Sequence, residues 1–273
     1  IAALALCAFR LVRPAVGAEP PVEQRARAAF FAVALLLGTS AYAAFLVLVS
    51  YPTQPWYYVS FLGLAAVLIE SSLALELRDR LGARALRLGI VVIGFALAAA
   101  GIWQQSNLRM TNLDLVARTL AEQARADDLI LVAPWYLGIS FDNYYSGGTP
   151  WLSVPDVSDR RLTRYDLVKA QMLRPDAVRP VADRVSQTLS TGGRVWVVGS
   201  LPLLDGNPTP RAAPVAPDSP LGWSESAYQQ LWSREIAHRL QQHASRLTQV
   251  PIATPVAVSR YESPPLLLFE AEP

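Results

Sequence analysis

The chain has 273 residues, 52% of them hydrophobic and 17% charged, with a formal net charge of +2. Soluble domains carry about 25% charged residues, so the balance leans toward a membrane. Arginines that are scattered and matched by carboxylates argue against a nucleic-acid partner, and the single cysteine, Cys7, excludes an intrachain disulfide or thiolate metal site.

The first segment, Ile1 to Val12, is apolar and is followed, not preceded, by Arg10 and Arg13. That order reverses a signal peptide, which wants its basic residues first. The segment therefore reads as the tail of a truncated span, 1–12, and the chain as the C-terminal fragment of a longer protein. Cys7 sits within it as an inert, packed thiol.

Crossing roughly 30 Å of hydrocarbon takes about 20 apolar residues. Three stretches are predicted to do so, at 28–50, 56–75 and 88–103, giving an α-helical transmembrane bundle over 1–105. Arginines set its orientation. Arg10, Arg13, Arg25 and Arg27 precede the first full span, the 51–55 loop has none, and Arg78, Arg80, Arg84 and Arg87 precede the third. The alternation places the arginine-rich loops in the cytoplasm and everything after Trp103 outside. Trp56, Tyr57 and Tyr58 fit an outer aromatic belt. Glu70 lies roughly 21 Å into its span at 1.5 Å per residue. Its carboxyl either lines a lipid-headgroup or substrate cavity or stays protonated, bonded to Ser71, Ser72 or a neighbouring helix, and the second reading is preferred.

Beyond residue 106 the pattern changes to a small α/β domain, mainly parallel and three-layer-like, over 106–273. Leu113, Val116, Ala117, Leu120, Ala121 and Ala124 recur at helical spacing behind a Thr111 or Asn112 cap. Leu129 to Ala133 is a strand buried on both faces. A second helix is seeded by Pro175 and ended by Gly192 and Gly193, and Val195 to Val198 is the next buried strand. Leu201 to Gly222, with six prolines, is a long loop. Ser224 caps a third helix through about Ser245, with Tyr228, Leu231, Trp232, Ile236 and Leu240 as its buried stripe. Two late strands are predicted, around Ile252 to Tyr261 and over Leu266 to Glu270, with Pro251 and Pro255 pushing the first toward an edge.

Few constellations carry chemistry. His238 and His243 are the only histidines, and a spacing of five turns them about 140° apart on a helix, so they do not form a zinc pair. Asp156 and Asp159 could hold a cation, but Arg160, Arg161 and Arg164 beside them favour ion pairing. Gly192 and Gly193 precede a strand, and Gly199 lacks the further glycines of a phosphate loop. Phe141, Tyr144, Tyr145 and Trp151 surround Gly147, Gly148 and Pro150. Such aromatics stack on sugar rings while Asp142 and Asn143 bond hydroxyls, or they seal the small domain against a membrane or a span.

The run from Tyr51 to Tyr58 (YPTQPWYY), the helix-into-strand segment Leu113 to Pro134, the Arg164 to Leu167 tetrapeptide and the Gly193 to Gly199 strand resemble bacterial membrane glycosyltransferases of the GT-C superfamily. The relatives are protein-mannosyltransferase-like and aminoarabinose-transferase-like enzymes. The resemblance implies an integral protein of the bacterial cytoplasmic membrane moving a sugar from a polyprenyl-phosphate donor to an acceptor at the outer face. It puts the catalytic carboxylates upstream of Ile1, so no catalytic residue is carried over and the fragment is expected to be inactive alone. Tyr144, Tyr145, Trp151, Asp142 and Glu70 are the candidate substrate-binding residues. No metal site or cofactor is expected in this segment, a divalent metal being compatible with the full-length enzyme. The partners expected are the lipid bilayer and the lipid-linked sugar. The alternative is a non-catalytic membrane protein, a sensor or assembly factor, whose outer domain binds a ligand or partner.

Overall fold

A computed structural model describes residues 22–49, 58–76, 81–203, 209–211, 213–218 and 224–272. The chain divides between Ala99 and Ala100 into a helical unit and an α/β unit.

Three helices occupy the first part of the chain: α1 (Val22–Val49), α2 (Val59–Glu76) and α3 (Leu81–Ser106). The predicted bundle of three spans is not what they form. Among the described residues one stretch, Ala29–Leu48 in α1, is long and apolar enough to cross a membrane, while the apolar stretch Val91–Ser106 of α3 is shorter. Charged residues fall inside the bounds of the other two helices. Helix α2 has 18 residues and holds both Glu70 and Glu76. The first turns of α3 carry Arg84 and Arg87, so its uniform apolarity begins only beyond them. The 1–12 segment, the 51–55 loop, Trp56 and Tyr57 lie outside the described residues. Within the helical unit, the Tyr42 ring of α1 stacks on Phe61 of α2 with centroids 5.3 Å apart. A Cβ at Gly38 would lie 3.2 Å from Leu64, which marks how closely these two helices approach. Phe30, Leu36, Leu37, Phe45 and Leu48 remain exposed along α1.

The α/β unit is built on one five-stranded sheet in the order β2-β1-β3-β5-β4. Its strands are β1 (Leu129–Ala133), β2 (Trp151–Ser153), β3 (Val195–Gly199), β4 (Arg246–Val250) and β5 (Leu266–Glu270). The sheet is mixed, correcting the mainly parallel expectation: β1 pairs parallel with β2 and β3, whereas β5 runs antiparallel to both β3 and β4. The late strand predicted around Ile252 to Tyr261 is found earlier, at β4. Prolines 251 and 255 lack an amide hydrogen, so the ladder to β5 ends at Val250 and the chain wraps away.

Alternation along the central strands builds two cores. Leu129, Leu131, Ala133, Val195 and Val197 face α7 (Arg179–Ser190), α8 (Glu225–His243) and α6 (Tyr165–Met172) through Val181, Val185, Leu189, Trp232, Ile236, Leu240 and Met172. Ile130, Val132, Trp196 and Val198 face α4 (Leu113–Gln123) and α5 (Leu137–Tyr144) through Leu113, Val116, Leu120 and Phe141. Both central strands are buried on both faces, which their continuous apolar runs require. The α7 helix begins at Arg179, with residues 176–179 forming a turn closed by Arg179 N–H to Asp176 C=O (3.0 Å).

The two rims of the sheet differ. At the amino rim, the fully buried Asp128 carboxylate accepts from the backbone N–H groups of Arg125 (2.9 Å) and Arg194 (3.0 Å), from the Arg194 guanidinium (2.7 Å) and from Trp196 Nε1 (2.9 Å). Burial alone would raise its pKa, but these bonds together hold it below the ordinary carboxylate value. At the carboxyl rim, β1 and β2 end in cis peptide bonds at Ala133–Pro134 and Val154–Pro155, and β3 ends at Gly199 with φ +115°. A Cβ there would lie 1.7 Å from the Ala133 carbonyl oxygen, so only glycine lets β3 close against β1.

Candidate functional site at the carboxyl rim

In sheets with parallel strands, ligands gather at the carboxyl ends, where the chain leaves the ladder and side chains diverge. Here that position is occupied by residues leaving β1. Trp135 is buried, and its Nε1–H donates to Glu225 Oε1 at 2.5 Å. Glu225 opens α8, and Gln229, one turn later, donates through Nε2 to the same oxygen. The second carboxylate oxygen has no hydrogen-bond partner among the described residues. The Trp135 ring meets Tyr165 edge-on (5.7 Å, 83°) and Tyr136 edge-on (6.3 Å, 77°). Both tyrosines are 47% exposed. Burial pushes the Tyr136 phenol above its ordinary pKa, with the nearby Glu225 and Tyr165 adding to the rise.

The rim therefore presents two half-exposed aromatic rings around a carboxylate that neutral donors hold in place. No arginine or lysine pairs with Glu225 among the described residues. Aromatic faces offer a flat surface to C–H groups, and the open oxygen accepts from a hydroxyl or ammonium donor. This is binding chemistry, with orientation supplied by the buried Trp135.

The candidates from the sequence are placed differently. Tyr145 stacks on Phe141 (4.9 Å, 17°), and its hydroxyl accepts from Thr149 N–H (3.2 Å) and donates to Thr149 C=O (3.3 Å). Trp151 meets Phe141 edge-on (5.2 Å, 78°) while the Arg160 guanidinium covers its ring at 3.7 Å. Phe141 thus brings Tyr145 and Trp151 together, and both rings pack against the α4–α5 face of the sheet. Asp142 and Tyr144 are exposed on α5. Glu70 is exposed on α2, in the helical unit.

The acidic loop is ion-paired throughout. Asp156 meets Arg160 at 3.1 Å, and Arg164 binds Asp159 (2.8 Å) and Asp166 (2.7 Å). Asp159 is held low first by the Arg161 backbone N–H and then by Arg164, and Arg164 pulls Asp166 down to about 2. His238 and His243 each keep a buried Nδ1 without a partner. Among the described residues no group of three His, Cys, Asp or Glu side chains is arranged to hold a metal ion.

Set against the families of known proteins, the curated proteins and the solved structures, the chain matches none. The reading of the rim rests on its own geometry. Trp135 and Tyr136 were within reach of the sequence, because they follow a doubly buried strand directly and so must emerge at its carboxyl end. Glu225 was not, since 90 positions separate it from Trp135 and only the packing of α8 brings the two together.

Proposed function

We propose that this chain belongs to a membrane-anchored glycosyltransferase in which the α/β unit stands outside the cytoplasm and its carboxyl rim holds a sugar of the reaction. The observation that carries the reading is the pair of half-exposed rings, Tyr136 and Tyr165, beside the anchored Glu225 carboxylate. A pyranose has an apolar C–H face and a rim of hydroxyls, and this cluster offers a counterpart to each. Two features of the first part of the chain support the location: the apolar stretch Ala29–Leu48, and the arginines 10, 13, 25 and 27 on its amino-terminal side. Positive charge close to a span is retained in the cytoplasm, and residues 49–69 carry none, which supports an outward position for the segment that follows Leu48. A polyprenyl-phosphate sugar is the donor that fits an enzyme working at that face, where nucleotide sugars are not supplied. The rim binds and orients, and no residue of it is assigned the bond-breaking step.

The test is transfer of radiolabelled sugar from polyprenyl phosphate by the full-length protein in proteoliposomes. Tyr136→Ala and Glu225→Gln are each expected to lower transfer about tenfold, the first through loss of an aromatic face and the second of a charge-assisted contact, with unfolding temperatures within a few degrees of the parent. Full activity in both variants would remove the rim from the reaction. If no lipid-linked sugar is consumed by the parent and labelled saccharides still bind, the alternative of a non-catalytic binding protein takes its place.

A further inference from the structure

A second surface of the α/β unit is built where the start of α4 meets the segment leading into β5, beside the carboxyl end of β3. The chain enters this unit at the end of α3, where Ser106 Oγ and Asn107 Nδ2 both donate to the Trp103 carbonyl oxygen (3.0 and 2.8 Å) and close the helix. The next residues run beside a segment from the far end of the chain. Arg109 N–H donates to Ala257 C=O (2.9 Å), Ser259 N–H to Arg109 C=O (2.7 Å) and Asn112 N–H to Glu262 C=O (3.3 Å), with Arg109 and Val258 forming a parallel bridge. Asn112 Nδ2 reaches on to Pro264 C=O (3.2 Å), and Arg109 is paired with Asp114. Residues 107–112 and 256–262 thus form a collar whose backbone is tied down from both sides.

What that collar exposes is unusual for a surface bathed in water. Met110 is 72% exposed, Val256 50% and Tyr261 67%, with Trp103 at 72% on the helix leading in. Arg260 lies over the Tyr261 ring (5.1 Å) and donates to its hydroxyl (3.2 Å). Among the described residues it has no carboxylate partner. An ordered backbone presenting Trp, Tyr, Met and Val with an arginine held only by a neighbouring tyrosine has the composition of a water–lipid interface. There amphipathic rings sit at headgroup depth, and arginine extends to phosphate.

We infer that the 107–112/256–262 collar rests on the lipid surface, with Met110, Val256 and Tyr261 at headgroup depth and Arg260 on lipid phosphate. The inference rests on the membrane location proposed above and adds a docking face to it. Its occupant is the bilayer, because the same chain carries the apolar stretch Ala29–Leu48 and the collar follows directly from the apolar end of α3. Because Asn112 and Pro264 adjoin the carboxyl end of β3, docking there would hold the carboxyl rim close to the lipid surface instead of leaving it to swing on a tether.

Cys7 is the single cysteine of this chain, and any further cysteine of a longer protein is replaced along with it. In a Cys7→Ser background, the full-length protein is spin-labelled at Met110→Cys, Val256→Cys or Tyr261→Cys and reconstituted into phosphatidylcholine–phosphatidylglycerol vesicles. Collisional access to oxygen and to a water-soluble nickel chelate is then read at each site. Leu37→Cys in α1 serves as the lipid reference and Ser190→Cys at the end of α7 as the water reference, and a thermal unfolding curve checks each variant. The collar sites are expected to show an oxygen-to-nickel ratio between the two references and several-fold above that of Ser190→Cys. Collar ratios equal to Ser190→Cys, with Leu37→Cys reading as lipid, would overturn the collar while leaving the membrane location intact. Exclusion of both quenchers at the collar would mean a protein partner covers it, and overturns the inference too. Nickel access at Leu37→Cys would overturn the membrane location and the collar together.

Discussion

Asp128 shows how one side chain can close a seam between elements. Its two oxygens receive donors from the turn before β1, from the backbone and guanidinium of Arg194, and from the Trp196 indole. Replacing it leaves the half-buried Arg194 charge without a counterion, an arrangement that costs about 3 kcal/mol or more. Asp128→Asn is expected to lower unfolding stability by that amount at neutral pH, measured by urea titration. Because the folded carboxyl is held below its unfolded value of about 3.9, its contribution is fully present above that value and lost as pH falls through the folded one. The gap between parent and variant should therefore narrow in acid. A gap of constant size from pH 7 to pH 3 would show that ionisation of Asp128 is not what the seam depends on. Nothing in the sequence marks Asp128 apart from Asp127 beside it. The distinction comes from the turn at residues 125–128, which aims one inward and leaves the other exposed.

At the scale of elements, the central strands were legible because a strand buried on both faces has no polar position to confuse the pattern: Leu129 to Ala133 and Val195 to Val198 read directly. The α5 and α6 helices were not, at eight residues each. A helix of two turns offers too few positions for a periodicity, and the aromatics of Phe141 to Tyr145 read as a loop near glycines. The edge strand β4 was displaced for a related reason, since it carries Arg246, Thr248 and Gln249, exposed or half-buried, and lacks an apolar alternation. Gly199 gives the element scale its own test. An added methyl would meet the Ala133 carbonyl at 1.7 Å with φ at +115°, so Gly199→Ala is expected to cost about 3 kcal/mol or more. At Gly148 a Cβ would meet nothing within 4 Å, and Gly148→Ala should stay within about 0.5 kcal/mol. Equal losses at the two positions in thermal unfolding would deny that the β1–β3 approach is the tight one.

Over the whole molecule, counting apolar residues predicted three spans where, among the described residues, one stretch of sufficient length is found. The count took Glu70 as a single charge within its span and Arg87 as interfacial, whereas α2 also holds Glu76 and α3 begins before Arg84. The candidate site was legible only in part for a different reason. Aromatic residues near glycines drew attention to Tyr145 and Trp151, which spend their faces on Phe141 and Arg160, while the rings left half open, Tyr136 and Tyr165, stand beside a carboxylate supplied from far along the chain.

The asymmetry between the two rims also bears on how the α/β unit breathes. The amino rim is stitched through one carboxylate that touches three segments, so the amides of Arg125 and Arg194 can meet solvent only when that whole seam opens. At the other rim the chain leaves the sheet through short local turns, such as Leu137 N–H to Pro134 C=O and Gly138 N–H to Trp135 C=O, which among the described residues no buried carboxylate ties together. In native-state hydrogen exchange, Arg194 and Leu129 amides are expected to exchange at the rate of global unfolding, and those at residues 136–140 orders of magnitude sooner. Sub-global opening would then begin at the end of the sheet proposed to hold a sugar, and a saccharide that slows exchange there while leaving Arg194 untouched would be felt locally, without the rest of the fold registering its arrival.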